Sequence, residues 1–219
     1  FANGMVLHTW SHLPYSLSQQ LYGDYAVYSY SDADNDSKSL IVLGSIGKTL
    51  DFMRGSCNIN GSYNRNESRL FSQQEAVQSV SDGWSAGCNI NGSPCRWFSF
   101  DYAIEYSDSH IIMNDDASPW LSSITNELSF NFTPHVKWEW QISGDYYRNE
   151  LTEGTFKNIV MLDTKLVFKP SKRSELSASL TNIFNKTQYN YTIYSQLSSL
   201  ESQRQLRSRQ LLFSIRLRK

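Results

Sequence analysis

Apolar and polar residues alternate over long stretches of this chain. In residues 136–142 (VKWEWQI), Val136, Trp138, Trp140 and Ile142 fall on one side of an extended backbone, and Lys137, Glu139 and Gln141 on the other. A period of two marks a strand with one apolar and one polar face. Residues 124–132 repeat it, with Leu128, Phe130 and Phe132 opposing Thr125, Glu127, Ser129 and Asn131. In residues 96–106, Phe98, Phe100, Tyr102, Ile104 and Tyr106 oppose Trp97, Ser99, Asp101, Ala103 and Glu105. Residues 175–184 set Leu176, Ala178, Leu180 and Phe184 against Glu175, Ser177, Ser179 and Thr181. The final stretch sets Leu211, Phe213, Ile215 and Leu217 against Leu212, Ser214, Arg216 and Arg218. Less regular strands fit residues 2–12, 21–30, 38–48, 55–65, 79–90 and 157–169. The pattern therefore predicts an all-β, antiparallel architecture of about 10–12 strands with no helix of useful length.

Strand length and connections sharpen this picture. Several strands run 9–12 residues. Strands of soluble proteins average about 5–6 residues, and a tilted membrane-spanning strand needs about 9–11. Short connections are expected at Asn91–Pro94, Thr133–His135 and Lys169–Arg173, and longer polar ones at residues 31–37, 66–78, 107–120, 148–156 and 185–205. Short turns at one end and long loops at the other are the habit of outer-membrane barrels. In that orientation the last strand runs toward the periplasm and leaves the C-terminus there.

Composition agrees without deciding. Aromatics make up 14% and charged residues 19% of the chain, against about 25% charged in ordinary soluble domains. Mean hydropathy is -0.47. A net charge of -1 gives no footprint for nucleic acid. A barrel wall with one lipid-facing and one polar face produces this mixture, as does a Tyr- and Ser-rich β-sandwich. No apolar run reaches the roughly 18 residues of a transmembrane helix, and the opening residues lack the pattern of a signal peptide.

Candidate chemistry is sparse. The three cysteines (Cys57, Cys88, Cys95) and four histidines (His8, His12, His110, His135) show no metal-ligand spacing. CNINGS occurs twice, at residues 57–62 and 88–93, which brings Cys57 and Cys88 roughly opposite each other if the connection centres near residue 72. They then form either a cross-strand disulfide or two free thiols. His110 lies near Asp108, Asp115 and Asp116, and SDADNDS lacks the Gly and Glu of a calcium loop. No catalytic, metal or cofactor site is expected. The polar faces instead offer Asp101, Glu105, Lys137, Glu139, Asp163, Lys165, Glu175 and Arg216 as lumen-lining candidates. Tyr102, Tyr106, Trp138, Trp140, Tyr146 and Tyr147 are candidates for aromatic girdles at the lipid–water boundary.

The last third of the chain resembles the C-terminal end of TonB-dependent outer-membrane receptors, most of all the Bacteroidetes (SusC-like) type. The matching elements are Leu162–Asp163, the strand end Asn182-Ile183-Phe184-Asn185, the following Tyr189, and Arg207–Arg209 before the last strand. Residues 39–64 resemble an earlier strand pair of such barrels. One departure is the ending: family members close on an aromatic, whereas this chain closes on Arg218-Lys219. The resemblance implies a barrel of roughly 22 strands plugged by a separate N-terminal domain. It also implies uptake of a glycan, peptide or metal chelate, with TonB acting through the plug and a surface lipoprotein as a further partner. The chain is then one segment, residues 1–219, forming the C-terminal part of a longer barrel without its plug. An odd half-barrel of about eleven strands would leave two open edges in lipid. The rival readings are a small closed barrel acting as enzyme or channel, and a secreted, ligand-binding β-sandwich.

Overall fold

A computed structural model describes residues 1–22, 25–72, 75–171, 173–194 and 199–217. The chain is all-β, built almost wholly of antiparallel pairs, and no α-helix occurs among the described residues. The strands are β1 (Ala2–Leu13), β2 (Ser16–Tyr22), β3 (Tyr25–Ser31), β4 (Asn35–Leu50), β5 (Gly55–Ser72), β6 (Glu75–Cys95), β7 (Phe98–Met113) and β8 (Asp116–Ala117). They continue as β9 (Leu121–His135), β10 (Trp138–Thr152), β11 (Thr155–Ser171), β12 (Ser174–Thr181), β13 (Gln188–Tyr194), β14 (Ser199–Gln205) and β15 (Gln210–Leu217).

Ten of these form one meander in the order β1-β4-β5-β6-β7-β9-β10-β11-β12-β15. The expected strand at residues 21–30 is not part of it. The described ones, 21–22 and 25–30, belong to β2 and β3, an antiparallel pair that stands off the path. The path count is therefore even, and β1 and β15 run in opposite directions. They are not paired with each other, so each presents one open edge.

Strands run further than the alternation predicts. The expected loops at residues 66–78, 107–120 and 148–156 are largely strand, because β5, β6, β7 and β10 continue through them. Polar residues on both faces hide a strand from a pattern read by apolar period, although backbone pairing persists. The turn expected at Asn91–Pro94 lies at Arg96–Trp97, since β6 continues to Cys95. The turn expected at Thr133–His135 lies at residues 136–137, which takes Val136 and Lys137 out of the strand. Phe184 likewise stands beyond the end of β12.

Residues directly opposite each other in antiparallel strands share a face. Following the register from strand to strand assigns both faces of the sheet. One carries the row Ile90↔Tyr102↔Leu128, then Phe100↔Phe130↔Ile142 and Trp140↔Leu166↔Ala178↔Phe213. The other carries Asn91↔Asp101↔Ser129↔Ser143↔Asp163. The apolar face is bounded along the strands. On β7 it runs from Phe98 to Tyr106 and gives way to Asp108. On β5 it gives way at Arg65, on β6 at Asp82, and on β10 at Arg148.

There is no ordinary core. Val80, Ile111, Leu121, Leu151, Ile159 and Val167 are the buried hydrophobic residues among those described, and they lie scattered. Large apolar side chains on the apolar face stay open instead: Ile59 is 57% exposed, Trp140 46% and Ile215 72%. Among the described residues no second sheet covers them. The separate β13–β14 hairpin packs against the polar face of β10.

The Asn182–Asn185 element acts as a clamp. Both residues adopt left-handed backbone (φ 51 and 52), a conformation asparagine tolerates better than most residues. The Asn182 side-chain amide donates to Lys186 O and Arg207 O, both at 2.7 Å, and its Oδ1 accepts from Lys186 N at 2.9 Å. Its own N–H donates to Asp163 Oδ1 at 2.6 Å, while Asn185 Oδ1 accepts from Arg209 N at 2.8 Å. One buried side chain thus ties both ends of the 186–207 excursion to the β12–β15 junction. Three side-chain hydrogen bonds at about 1 kcal/mol each, plus about 1 kcal/mol for the left-handed backbone, make Asn182→Ala cost about 3–4 kcal/mol. Denaturant unfolding measures this, and the Lys186 amide should exchange faster in the variant. Unchanged stability would mean that the clamp does not set the junction.

Candidate functional site

The polar face carries seven of the eight charged candidates read from the alternation. Asp101 and Glu105 stand on it from β7, Glu139 from β10, Asp163 and Lys165 from β11, Glu175 from β12 and Arg216 from β15. Lys137 does not join them on a strand, because it sits in the turn and its carbonyl accepts from Lys169 N at 2.8 Å. Two ion pairs lie near the short turns: Lys169–Glu139 at 2.9 Å and Arg216–Glu175 at 3.8 Å. The second is a directly opposed pair in the register.

Farther along the strands the face turns acidic. Glu127 stands directly across from Asp145, one row from Asp101 and Asp163. Like charges placed opposite each other oppose sheet pairing, so this patch depends on water or a partner to screen it. Glu127 and Asp145 were readable in the alternation, since Asp145 continues the series Glu139, Gln141, Ser143. A shallow cavity of about 440 Å³ lies here, lined in part by Asn89, Asn91, Asp101, Glu127, Ser143 and Asp145.

The β13–β14 hairpin leans over this face from the long-loop end. Asn149 Nδ2 donates to Tyr189 Oη at 3.1 Å and to Asn190 O at 3.3 Å. The Tyr147 and Tyr189 rings lie 5.5 Å apart, Tyr189 stacks on Tyr191 at 5.3 Å, and the Arg204 guanidinium lies 5.4 Å from the Tyr191 ring. The register puts Tyr147 on the polar face, so it belongs to this cluster and not to an outer girdle.

On the apolar face the aromatic residues fall at three heights. Trp138 and Trp140 stand near the short turns, with Trp138 stacked on Phe168 at 4.4 Å. Tyr106 and Tyr146 stand at the far limit of the apolar run. Tyr106 lies 5.1 Å from Trp84 and donates to Asp108 at 3.0 Å. Tyr102 differs from expectation: it lies midway along the run, paired with Ile90 and Leu128, and its hydroxyl donates to Asn126 at 2.9 Å.

Beyond the apolar run this same face becomes a polar collar. Asp82, buried, accepts from Tyr63 Oη at 3.0 Å and from Arg65 Nη1 at 3.2 Å. His110, near Asp108, Asp115 and Asp116 in the sequence and expected in a solvated loop, is instead buried in β7, facing Asp82 at 4.0 Å beneath the Trp120 ring. Asp108 is engaged with Tyr106 instead. The strand pairing Asp82↔His110 brings the two together across 28 positions, which a local reading cannot see. At the end of β1, the His12 ring meets Asp36 at 2.9 Å. That hydrogen bond, aided by the charges of Asp34 and Asp36, raises the His12 pKa above its ordinary value. No group of three or more potential metal ligands occurs among the described residues.

No family model matches the chain, and no curated protein or solved structure is significantly similar to it.

The geometry makes Asn149 the anchor of the hairpin. Asn149→Ala removes two side-chain donations, worth about 1 kcal/mol or somewhat more together. Limited trypsin cleavage after Arg204 should then speed up by roughly tenfold. An unchanged cleavage rate would mean that the hairpin is held by other contacts.

Proposed function

We propose that this chain is barrel wall in a bacterial outer membrane: the C-terminal barrel portion of a TonB-dependent, SusC-like or related transporter that takes up a nutrient such as a glycan, peptide or metal chelate. The observation that carries the membrane part of this reading is the bounded apolar face. Nine residues from Phe98 to Tyr106, at about 3.3 Å each and tilted by about 40°, rise roughly 23 Å. The apolar band of outer-membrane barrels is about 25 Å tall. Lipid on this face would cover side chains that the fold itself leaves open, each worth about 1.5–3 kcal/mol when shielded from water. Charged residues take over on four strands where the band ends, as they would at a lipid–water boundary.

The transporter part rests on the resemblance of residues 156–219, whose Asn-Ile-Phe-Asn element has a physical role as the loop clamp. The open edges of β1 and β15 support a larger barrel, because an unpaired backbone group in lipid costs several kcal/mol. Further strands would pair with both edges and a plug would occupy the polar interior. Asp101, Glu105, Glu127, Asp145 and Asp163 would then face that plug or the solvated solute path. The C-terminus would lie in the periplasm, at the short-turn end. A second reading, a small closed barrel, is favoured by the even count of ten path strands and the opposite directions of β1 and β15, which would let those edges pair. A β-sandwich gains nothing from the fold, because the face that should be its core is uncovered.

Paired arginine substitutions test the membrane reading. In phospholipid, Ile142→Arg on the apolar face should cost about 2–4 kcal/mol, and its neighbour Ser143→Arg less than about 0.5 kcal/mol. Equal costs, or the reverse order, would sink it.

A further inference from the structure

Each short turn of the meander carries a cation. Arg54 lies between β4 and β5, Arg96 between β6 and β7, Lys137 between β9 and β10, and Arg173 between β11 and β12. All four are exposed, and none makes an ion pair among the described residues. Asp51 is the one acid among the described residues of these turns. Connections at the opposite end differ. From β3 to β11 they hold Asp32, Asp34, Asp115 and Glu153 and no Lys or Arg.

Three of these turns also set an exposed apolar residue beside the cation. Phe52 is 79% exposed, Trp97 51% and Val136 88%. The turns meet the end of the apolar face. A Cβ added at Gly92, opposite Phe100, would lie 3.1 Å from the Phe100 ring and 3.3 Å from Met53 Sδ, so Met53 lies over that face. The Trp97 ring lies 6.1 Å from Phe98, where the apolar run of β7 begins. Lys48 adds a cation on the apolar face itself, two residues before β4 ends. A turn recurs at every second strand, about 10 Å across the sheet. That is close to the Debye length of about 8 Å at physiological salt, so the rim acts as one positive edge.

We propose that this rim is a docking ledge for anionic phospholipid headgroups of the phosphatidylglycerol class. The proposal deepens the membrane reading above and rests on it. A phospholipid answers both halves of the pattern at once. Its acyl edge receives Phe52, Trp97 and Val136, while its phosphate meets the cation beside them. The net positive charge of the turns selects the headgroup. Phosphatidylglycerol brings a phosphate with no ammonium, whereas a zwitterionic lipid brings an ammonium that the rim repels.

The test uses the full chain reconstituted in phosphatidylcholine vesicles with a minor share of phosphatidylglycerol. Spin-labelled forms of the two lipids are compared for the fraction slowed at the protein surface. A basic side chain at the membrane surface favours an anionic lipid by roughly fivefold. Averaged with boundary lipids away from the turns, phosphatidylglycerol should be enriched by roughly twofold or more, and less so at high salt. The combined variant Arg54→Asn, Arg96→Gln, Lys137→Gln and Arg173→Gln should bring the two lipids to parity. Asparagine suits the left-handed backbone of Arg54 (φ 46). The charge-keeping set Arg96→Lys, Lys137→Arg and Arg173→Lys should retain the enrichment. Lys165→Gln, on the polar face, should leave it unchanged. Far-UV circular dichroism checks that each variant keeps its strands. Equal slowing of both lipids by the unaltered chain, enrichment that survives the combined variant, or enrichment lost in the charge-keeping set overturns the proposal and leaves the membrane reading standing. A chain that slows neither lipid overturns both.

Discussion

An open sheet must satisfy two demands at once: every backbone N–H and C=O needs a partner, and every apolar surface needs cover. Within the meander the first demand is met by register, strand after strand. The second is not met by the protein itself. Phe130, Trp140, Leu166 and Phe213 share one face and nothing in the fold packs on it. The remaining features follow from that imbalance. The apolar run is bounded along the strands, and charges such as Asp108 and Arg148 resume on the same face where it ends. The open edges of β1 and β15 pose the first demand again, since the backbone groups along them have no strand partner in the sheet.

The opposite face has other duties. It holds ion pairs near the short turns, an acidic patch around Glu127 and Asp145, and the β13–β14 hairpin leaning in above them. Asn182 fixes both roots of that hairpin, and Asn149 fixes its body. The loop that a sequence shows as a polar insertion is thus a placed element that narrows one end of the polar surface. Loops held on a rigid scaffold in this way are where proteins commonly carry their binding residues.

Much of this was legible from the chain alone, for a definite reason. Period two survives any detail of packing, so the faces of Trp138–Ile142 and of Phe98–Tyr106 could be assigned from the chain alone, and Asp101, Glu105, Glu139 and Asp163 fell on the polar face as the alternation indicates. Turn positions were less legible, because a polar strand end such as Gly92–Cys95 looks like a loop. Lys137 was misplaced for that reason. Residues 21–30 fit a less regular strand in the sequence, yet the described ones belong to the β2–β3 pair outside the meander, because alternation does not reveal pairing partners. Asp82 beside His110, and the meeting of the two CNI copies, which pairs Cys57 with Ile90 and Ile59 with Cys88 and leaves two free thiols diagonal, depend on register across a long hairpin. A one-residue difference in its centre decides whether two side chains are opposite or diagonal.

The proposed lipid cover of one face of this sheet can be read residue by residue along a strand. A fluorescent label placed in turn at positions 99 to 108 of β7, in vesicles whose acyl chains carry a quencher, measures lipid contact at each residue. Quenching should follow a period of two: strong at Phe100, Tyr102 and Ile104, weak at Asp101, Ala103 and Glu105, and lost at Asp108 although that residue shares the apolar face. Quenching without alternation, or a chain that stays folded and monodisperse in plain buffer, would contradict it.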